Sequence, residues 1–115
     1  MNDDKTLIQK AIEIIEDRKG EDVVVVDLAD VSIPTSYFVI AAADNAVHLK
    51  AIASAFMADF PATAHHREGL RERKWAILDF GDIVIHLFQR EAREFYNIEA
   101  LWADHVVPIE TFRDN

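Results

Sequence analysis

The 115-residue chain contains no cysteine, only three glycines and only three prolines. Without cysteine it can form neither a disulfide nor a thiolate nucleophile, which suits a reducing compartment. Its scattered glycines include no glycine-rich loop ahead of a helix, the arrangement that cradles a phosphate group. It also has no linker-like segment rich in glycine or proline. We therefore expect a single domain over 1–115, with a flexible tail over 108–115.

Long apolar runs and an excess of positive charge are also missing. No run approaches the roughly 20 apolar residues that cross a bilayer, and the polar N-terminus resembles neither a signal peptide nor a transit peptide. We therefore expect a cytoplasmic protein with no membrane partner. Twelve Lys and Arg stand against 21 Asp and Glu, a formal net charge of −9. Such a chain repels phosphate backbones, so we expect no direct sequence-specific nucleic-acid binding and favour basic partners. The basic cluster at 65–74 is interpreted as a solvated loop between two strands.

What is present is an ordinary globular composition, 50% hydrophobic and 29% charged. Thr6 and Gln9 form a capping-box signature ahead of a first amphipathic helix, and a second apolar stripe at helical spacing covers 49–60. Runs rich in β-branched and other apolar residues, at 23–28 with Asp27 as the exception and at 37–42, predict strands buried on both faces. The order helix, two strands, helix, three strands, helix predicts an α/β fold. We expect a mixed sheet of about five strands with helices packed on it.

The most informative stretch, 74–102, begins with two alternating apolar runs hinged at 80–82, a pattern typical of a β-hairpin. With a two-residue loop at either 80–81 or 81–82, strand alternation places the same side chains on one face. The opposite face is purely apolar and suits helices, whereas this face is mixed and is the candidate recognition surface. Its members are Trp75, Ile77, Asp79, Val84, His86 and Phe88.

Three polar residues of the hairpin have competing interpretations. Under the 80–81 loop, Asp79 would lie opposite Asp82, which costs up to about 1 kcal/mol. Aspartate is common in turns, because its side chain hydrogen-bonds the nearby backbone. We interpret Asp82 more readily as a turn residue than Asp79, which lies at a strand end. His86 is either packed among aromatic rings, or it orients a carboxylate or donates a hydrogen bond across an interface.

The segment 90–102 is predicted to be helical in one or two short pieces. Phe95, Ile98 and Leu101 recur at helical spacing and are interpreted as residues that pack on the core. Tyr96 and Trp102 combine an apolar ring with a polar group, a type enriched at the centres of interfaces. These two residues join the hairpin face as candidates for binding a partner.

No residue pattern in the chain favours catalysis. The triplet at 79–81 matches the metal-binding motif of protein kinases, but 115 residues cannot hold a kinase domain. Asp27, Asp79 and Asp82 are hard oxygen ligands suited to a metal-assisted transferase, although nothing in the sequence places Asp27 near the other two. The five histidines lie in separate elements without the spacing of zinc ligands. We therefore expect no catalytic residue, no metal and no cofactor.

Taken together, these motifs resemble the Iojap family, the ribosomal silencing factors. The resemblance runs from about Leu7 to Val107. It rests on the pattern W-x-x-L-D-F-G-D-x-V-x-H-x-F at 75–88, followed by R-E-F-Y at 93–96 and L-W at 101–102, with the strand at 36–40 before them. The combination is too specific to arise by chance.

The resemblance implies a nucleotidyltransferase-like core without a catalytic site. It also implies a translation repressor that binds the large ribosomal subunit through ribosomal protein L-fourteen and sterically blocks association with the small subunit, especially under nutrient limitation. The alternatives are a large-subunit assembly factor that uses the same face and, with less support, a divergent metal-dependent nucleotidyltransferase. Dimers among the relatives add a homodimer to these expectations. The partner-binding residues implied by the motif are Trp75, Asp79, Gly81, Asp82, His86, Phe88, Tyr96 and Trp102, with Trp75, Asp79, Asp82 and Tyr96 as the contacts.

The chain departs from the family in the loop at 42–45, Ala-Ala-Asp-Asn, where the family usually has polar residues and a glycine. Val47 and His48 also replace residues that are usually polar or basic. Asp44 or Asn45 is predicted to cap the helix that follows. A function carried by this loop is therefore not transferred to the chain, whereas the hairpin keeps the family pattern.

Overall fold

The computed structural model describes residues 3–113, which form four helices and six strands; all but the last strand follow the predicted order. Two short 3₁₀ helices, Ala103–His105 and Ile109–Phe112, flank the last strand. In chain order the elements are α1 Asp4–Asp17, β1 Glu21–Asp27, β2 Tyr37–Ala43, α2 Ala46–Asp59, β3 His66–Glu68, β4 Trp75–Asp79, β5 Ile83–Gln89, α3 Arg90–Tyr96, α4 Ile98–Leu101 and β6 Val106–Val107.

All six strands belong to one mixed sheet in the order β3-β4-β5-β2-β1-β6. The central pair, β2 and β5, is parallel, and every other neighbouring pair is antiparallel. The predicted α/β fold is confirmed. The sheet has one strand more than the five or so expected, because the two-residue β6 adds itself to the edge of β1.

The two faces of the sheet are covered unequally. α1 and α2 pack on one face and form the main core, to which Ile15, Phe56 and Ile85 contribute fully buried or nearly fully buried side chains. The other face carries a smaller cluster around Ile40 and Phe88, against which residues of α3 and α4 pack. Because β2 and β5 are covered on both faces, their sequences are continuous apolar runs rather than alternating ones. The smaller cluster is the side of the sheet on which the mixed hairpin face lies.

The start of α1 corrects one prediction. The N-cap is Asp3, whose carboxylate accepts a hydrogen bond of 2.8 Å from the backbone N–H of Thr6. This hydrogen bond lowers the pKa of Asp3. Thr6 itself lies in the first turn, so the Thr6–Gln9 capping box is wrong. Aspartate and threonine are both favourable caps, and here the aspartate three residues before Thr6 takes that position.

The loop that departs from the family pattern has a structural role. Asn45 caps α2 as predicted, by accepting a 2.8 Å hydrogen bond from the backbone N–H of His48. The His48 ring in turn lies 2.9 Å from the backbone nitrogen of Asp44 and 2.7 Å from the carbonyl oxygen of Arg18. His48 therefore joins this loop to the end of α1.

The expected flexible tail over 108–115 is corrected as far as Arg113. Phe112 is only 6% exposed, and its ring meets that of Tyr37 edge-on at 6.3 Å. Arg113 pairs with Glu16 of α1 through two hydrogen bonds of 3.0 and 2.6 Å. Residues 114 and 115 lie outside the described part of the chain. The short 3₁₀ turn at Ile109–Phe112 presents two apolar side chains to the core, a pattern too brief to stand out in the sequence.

Replacing Phe112 by alanine is expected to lower the free energy of unfolding by about 3 kcal/mol, because a large buried ring is lost. Thr111→Ala, one residue away and exposed, is the matched control and should change it by less than about 0.5 kcal/mol. Urea unfolding of both variants measures the difference. Equal stabilities would show that the C-terminal segment is not docked.

Candidate protein-binding surface

The hairpin of β4 and β5 turns through a two-residue loop at Gly81-Asp82. Trp75 lies opposite Phe88, and Asp79 lies opposite Val84. The sequence was compatible with a loop at 80–81 or at 81–82, and the structure has the loop at 81–82. Asp79 therefore does not face Asp82, and the like-charge opposition considered for the other loop does not arise.

The two aspartates of the turn exchange their expected roles. One carboxylate oxygen of Asp79 accepts a 2.8 Å hydrogen bond from the backbone N–H of Gly81, so Asp79 stabilises the turn. Asp82 contributes its carbonyl oxygen, which accepts hydrogen bonds from the backbone N–H groups of Ser36 and Tyr37, each 2.9 Å. Asp82 is exposed, whereas Asp79 is half-buried. Of the two aspartates, Asp82 is therefore the more accessible to a partner.

The six residues assigned to the mixed face do share one face of the sheet, as the register requires. Their depth differs, because α3 covers only part of that face. Phe88 is fully buried and His86 is 6% exposed, whereas Trp75, Ile77 and Asp79 are half-buried. His86 and Phe88 therefore lie beneath the surface that the other three help to form.

Aromatic rings connect this buried layer to solvent. The Trp75 ring stacks on Phe88 at 4.9 Å and meets Tyr96 of α3 at 4.8 Å. Tyr96 in turn contacts Phe95 edge-on at 5.0 Å. Tyr96 is 50% exposed and Phe95 81% exposed. We call the surface formed by Trp75, Phe95 and Tyr96 the aromatic ledge.

The prediction that Phe95, Ile98 and Leu101 all pack on the core is wrong for two of them. Ile98 does pack against the smaller cluster, but Phe95 is 81% and Leu101 77% exposed. The reason is Asn97, which adopts a left-handed conformation with φ of 42° and separates α3 from α4. Across this break the helical period no longer applies, so residues three apart do not share a face. Asparagine tolerates this conformation better than most residues, which is the one signal the sequence carried.

A salt bridge holds the two short helices together across the break. Arg93 of α3 binds Glu99 of α4 through two hydrogen bonds of 2.9 and 3.1 Å, and both side chains are largely shielded from solvent. Its placement keeps α4 on the sheet, where Trp102 meets Phe38 edge-on at 6.3 Å. Trp102 is half-buried and packs against the smaller cluster. Most of its ring therefore contacts the fold itself, and only part of it is available to the predicted partner.

Carboxylates lie beside the aromatic ledge. Glu91 and Glu94 of α3 are exposed, and Glu91 lines a shallow hollow together with Lys74, Phe95 and Tyr96. Asp82 is remote from the ledge, because it lies in the hairpin turn beyond the end of β4, a strand about 13 Å long from Trp75 to Asp79. The surface thus combines apolar rings with negative charge, and Lys74 adds a positive charge to the lining of the hollow.

The basic cluster at 65–74 is exposed, as expected of a solvated segment, and part of it forms the edge strand β3. His66 and Glu68 pair with each other at 3.1 Å. Arg73 stabilises its own loop, because its Nε donates to the carbonyl oxygen of Leu70 at 3.1 Å and its carbonyl oxygen accepts from Gln89 at 2.8 Å. Several of these charges therefore have local partners.

Asp27 lies at the same end of the sheet as the hairpin turn. It pairs with Tyr37 across β1 and β2, and the backbone N–H of Tyr37 donates to the carbonyl oxygen of Asp82, so the backbone brings Asp27 closer to Asp82 than the sequence indicated. Burial, with the added influence of the negative charges of Asp27 and Asp4, raises the pKa of Tyr37.

Within residues 3–113 no three His, Asp or Glu side chains are grouped so that they could hold a metal ion. No helix in the same range is long and apolar enough to cross a membrane.

His86 has an unusual position beneath Trp75. Its Nδ1 accepts a 3.1 Å hydrogen bond from the indole N–H of Trp75, while its Nε2 has no hydrogen-bond partner within the described part of the chain. Its ring meets that of Phe38 edge-on at 4.5 Å. Burial lowers the pKa of His86 to about 4, because the charged imidazolium would lose its hydration.

The low pKa of His86 makes the stability of the chain depend on pH. The unfolded histidine titrates near its ordinary value of about 6.5, so between about pH 6.5 and 4 the unfolded chain binds a proton that the folded chain does not. The stabilisation is complete above this window and is lost as the pH falls through it. Between pH 7.5 and 4.5 the loss is about 2 kcal/mol. Urea unfolding should show this loss in the unaltered chain and a correspondingly smaller one in His86→Phe, and equal losses would contradict the assignment.

An exposed aromatic surface beside carboxylates, on a small α/β domain, is typical of a protein-binding domain. Comparison with known proteins identifies the family to which this domain belongs. The family model described as "Ribosomal silencing factor during starvation" matches residues 1–114. The chain therefore belongs to the ribosomal silencing factor family, and the resemblance seen in its motifs is confirmed.

Relatives and solved structures agree with this assignment. The Bacillus subtilis ribosomal silencing factor RsfS is 31% identical over 103 residues, which cover 87% of each chain. The chloroplastic Iojap protein of Arabidopsis thaliana is 31% identical over 110 residues, 90% of this chain and 46% of its own. A crystal structure from Chromobacterium violaceum superimposes with a TM-score of 0.85 at 28% identity, covering 89% of this chain and 88% of the other. One from Bacillus halodurans gives 0.79 at 28% identity, covering 91% and 99%. The family's names are those of regulators that silence the ribosome rather than of enzymes.

Proposed function

We propose that the chain represses translation by binding the large ribosomal subunit through ribosomal protein L-fourteen and blocking association with the small subunit, especially under nutrient limitation. The observation that carries this proposal is the aromatic ledge. Three adjacent rings, on Trp75, Phe95 and Tyr96, form one surface although the chain has a complete core elsewhere. A family of ribosome regulators gives that surface an obvious class of partner.

The ledge is suited to supply most of the binding energy. Large rings bury up to about 150–250 Å² each when they are covered, and Trp and Tyr dominate measured interface energetics. The rings are also held in place before binding, because Trp75 stacks on Phe88 and also contacts Tyr96 in a tilted arrangement. A rigid ledge loses little conformational freedom when a partner covers it.

Charge is suited to supply steering and register. The chain carries a net charge of −9, and Glu91 and Glu94 of α3 are exposed beside the ledge. Proteins embedded in ribosomal RNA are generally basic, so the two surfaces attract each other. Attraction of this kind raises the association rate at low salt more than it raises affinity. We therefore place the aromatic contacts at the centre of the interface and the carboxylates at its rim.

The size of the domain accounts for exclusion. Its principal extents are 32 × 29 × 29 Å. A typical interface buries about 800 Å² on each partner, so most of the domain would stand clear of the surface it binds. Two ribosomal subunits cannot form direct contacts around an obstacle of that thickness. Steric exclusion therefore needs no catalytic group and no conformational change in either subunit.

Co-sedimentation of the purified chain with isolated small subunits, isolated large subunits and purified L-fourteen tests the proposal. We expect it to sediment with the large subunit and not with the small one, and to bind L-fourteen directly. Binding to the large subunit without binding to L-fourteen would overturn the choice of partner. A preference for immature over mature large subunits would favour the assembly-factor alternative, and binding to neither subunit would overturn the proposal.

A further inference from the structure

We infer that His86 is a positioning residue for the aromatic ledge: its imidazole holds the indole of Trp75 in the orientation that a partner meets. This inference rests on the proposed function, since it assigns a role within the same surface. Trp75 and His86 are diagonal neighbours on β4 and β5, as Trp75 lies opposite Phe88 and Ile77 opposite His86. At that separation long side chains of one sheet face reach each other. The 3.1 Å hydrogen bond from indole to imidazole is the contact that results.

The direction of this hydrogen bond defines the state of the histidine. The indole N–H can only donate, so Nδ1 of His86 must be unprotonated and the ring proton must be on Nε2. An imidazolium carries hydrogen on both nitrogens and could not accept from Trp75. The burial of His86 favours the neutral ring that this contact requires.

The surroundings of His86 make it a fixed support. The imidazole lies edge-on to Phe38 at 4.5 Å and nearly parallel to Phe88 at 6.4 Å. With 6% of its surface exposed, it has little area to offer a partner directly. Whatever His86 contributes to recognition must therefore pass through Trp75. This differs from the three roles predicted from the sequence, which were packing alone, orientation of a carboxylate and a hydrogen bond across an interface.

The hydrogen bond helps recognition in two ways. It restricts the half-exposed indole to one rotamer before a partner arrives, so that less freedom is lost on binding. It also satisfies the indole N–H within the fold, so the partner can cover Trp75 with an apolar surface and need not supply an acceptor. An indole N–H buried without an acceptor carries a penalty. Together these effects predict a loss of about tenfold in affinity when the acceptor is removed.

Two substitutions separate the acceptor from the packing. His86→Phe keeps an aromatic ring of similar size but has no acceptor. His86→Asn is smaller, but its carbonyl oxygen lies close to where Nδ1 was. We expect His86→Phe to bind the large subunit about tenfold more weakly, and His86→Asn to bind within about threefold of the unaltered chain. NMR of the Trp75 indole N–H should show fast exchange with solvent in His86→Phe and slow exchange in His86→Asn.

A double-mutant cycle with Trp75→Phe, which removes the donor, distinguishes positioning from a general loss of fold. If the hydrogen bond is responsible, His86→Phe should weaken binding no further once Trp75 is phenylalanine. Equal weakening in both backgrounds, or full-strength binding by His86→Phe, would overturn the inference. Failure of the unaltered chain to bind large subunits would instead overturn the proposed function, and the NMR comparison would still report whether His86 fixes Trp75.

Discussion

The double variant Trp75→Ala/Tyr96→Ala is expected to bind the large ribosomal subunit at least about 100-fold more weakly than the unaltered chain. Central aromatic residues of interfaces typically cost 2 kcal/mol or more each when truncated, and about 1.4 kcal/mol corresponds to a tenfold change. Both rings belong to the aromatic ledge and contact each other at 4.8 Å, so their removal takes away its centre. Equilibrium binding to purified large subunits, with fluorescently labelled protein, measures the change.

The matched control removes exposed apolar surface from the other side of the sheet. Val47 is 75% and Met57 39% exposed on α2, which packs on the face opposite the ledge. The variant Val47→Ala/Met57→Ala should therefore bind as the unaltered chain does. Urea unfolding must show that both double variants are folded under the binding conditions. If the two bind equally, the ledge is not the interface.

Gly69→Ala is expected to destabilise the fold by about 4 kcal/mol or more, a loss in the range reserved for direct steric conflict. Gly69 has φ of +78°, and a Cβ built on it would lie 1.9 Å from the carbonyl oxygen of Trp75. That oxygen belongs to the backbone of β4, which pairs with strands on both sides and cannot move away without breaking the ladder. Gly69 lies directly against the backbone at the start of β4, and a residue with a side chain does not fit there.

Gly81→Ala is the control that separates the steric conflict from backbone strain. Gly81 also has a positive φ, +93°, but the nearest atoms to an added Cβ belong to the His65 ring at 3.5 Å, an ordinary contact. It should cost about 1–2 kcal/mol, the usual price of this conformation for a residue with a side chain. Urea unfolding of the two variants gives the comparison directly. Equal losses would mean that the close approach to Trp75 is not what requires glycine at 69.

The composition of the hairpin face could be predicted because it depends only on strand alternation. Both possible loops place the same six residues on one face, so the prediction of that face does not depend on the register. What could not be predicted was depth. The burial of Phe88 depends on where α3 lies, and that of His86 on the ring of Phe38 in β2; both arise from contacts between residues distant in sequence.

The remaining errors each have a local physical cause. One left-handed residue, Asn97, breaks the helical period and turns Phe95 and Leu101 from expected core residues into exposed ones. The C-terminal segment looked like a tail because one 3₁₀ turn carries too short a pattern to indicate that Phe112 is buried. The turn role passed from Asp82 to Asp79 because it depends on which loop forms, which the sequence left open.

Joining of the small and large subunits, followed by light scattering while the chain is added at increasing concentration, tests the central claim most directly. The account predicts that joining falls in proportion to the fraction of large subunits occupied, and that Trp75→Ala/Tyr96→Ala has no effect at the same concentration. Normal joining with fully occupied large subunits would contradict it, because the chain would then bind without excluding the small subunit.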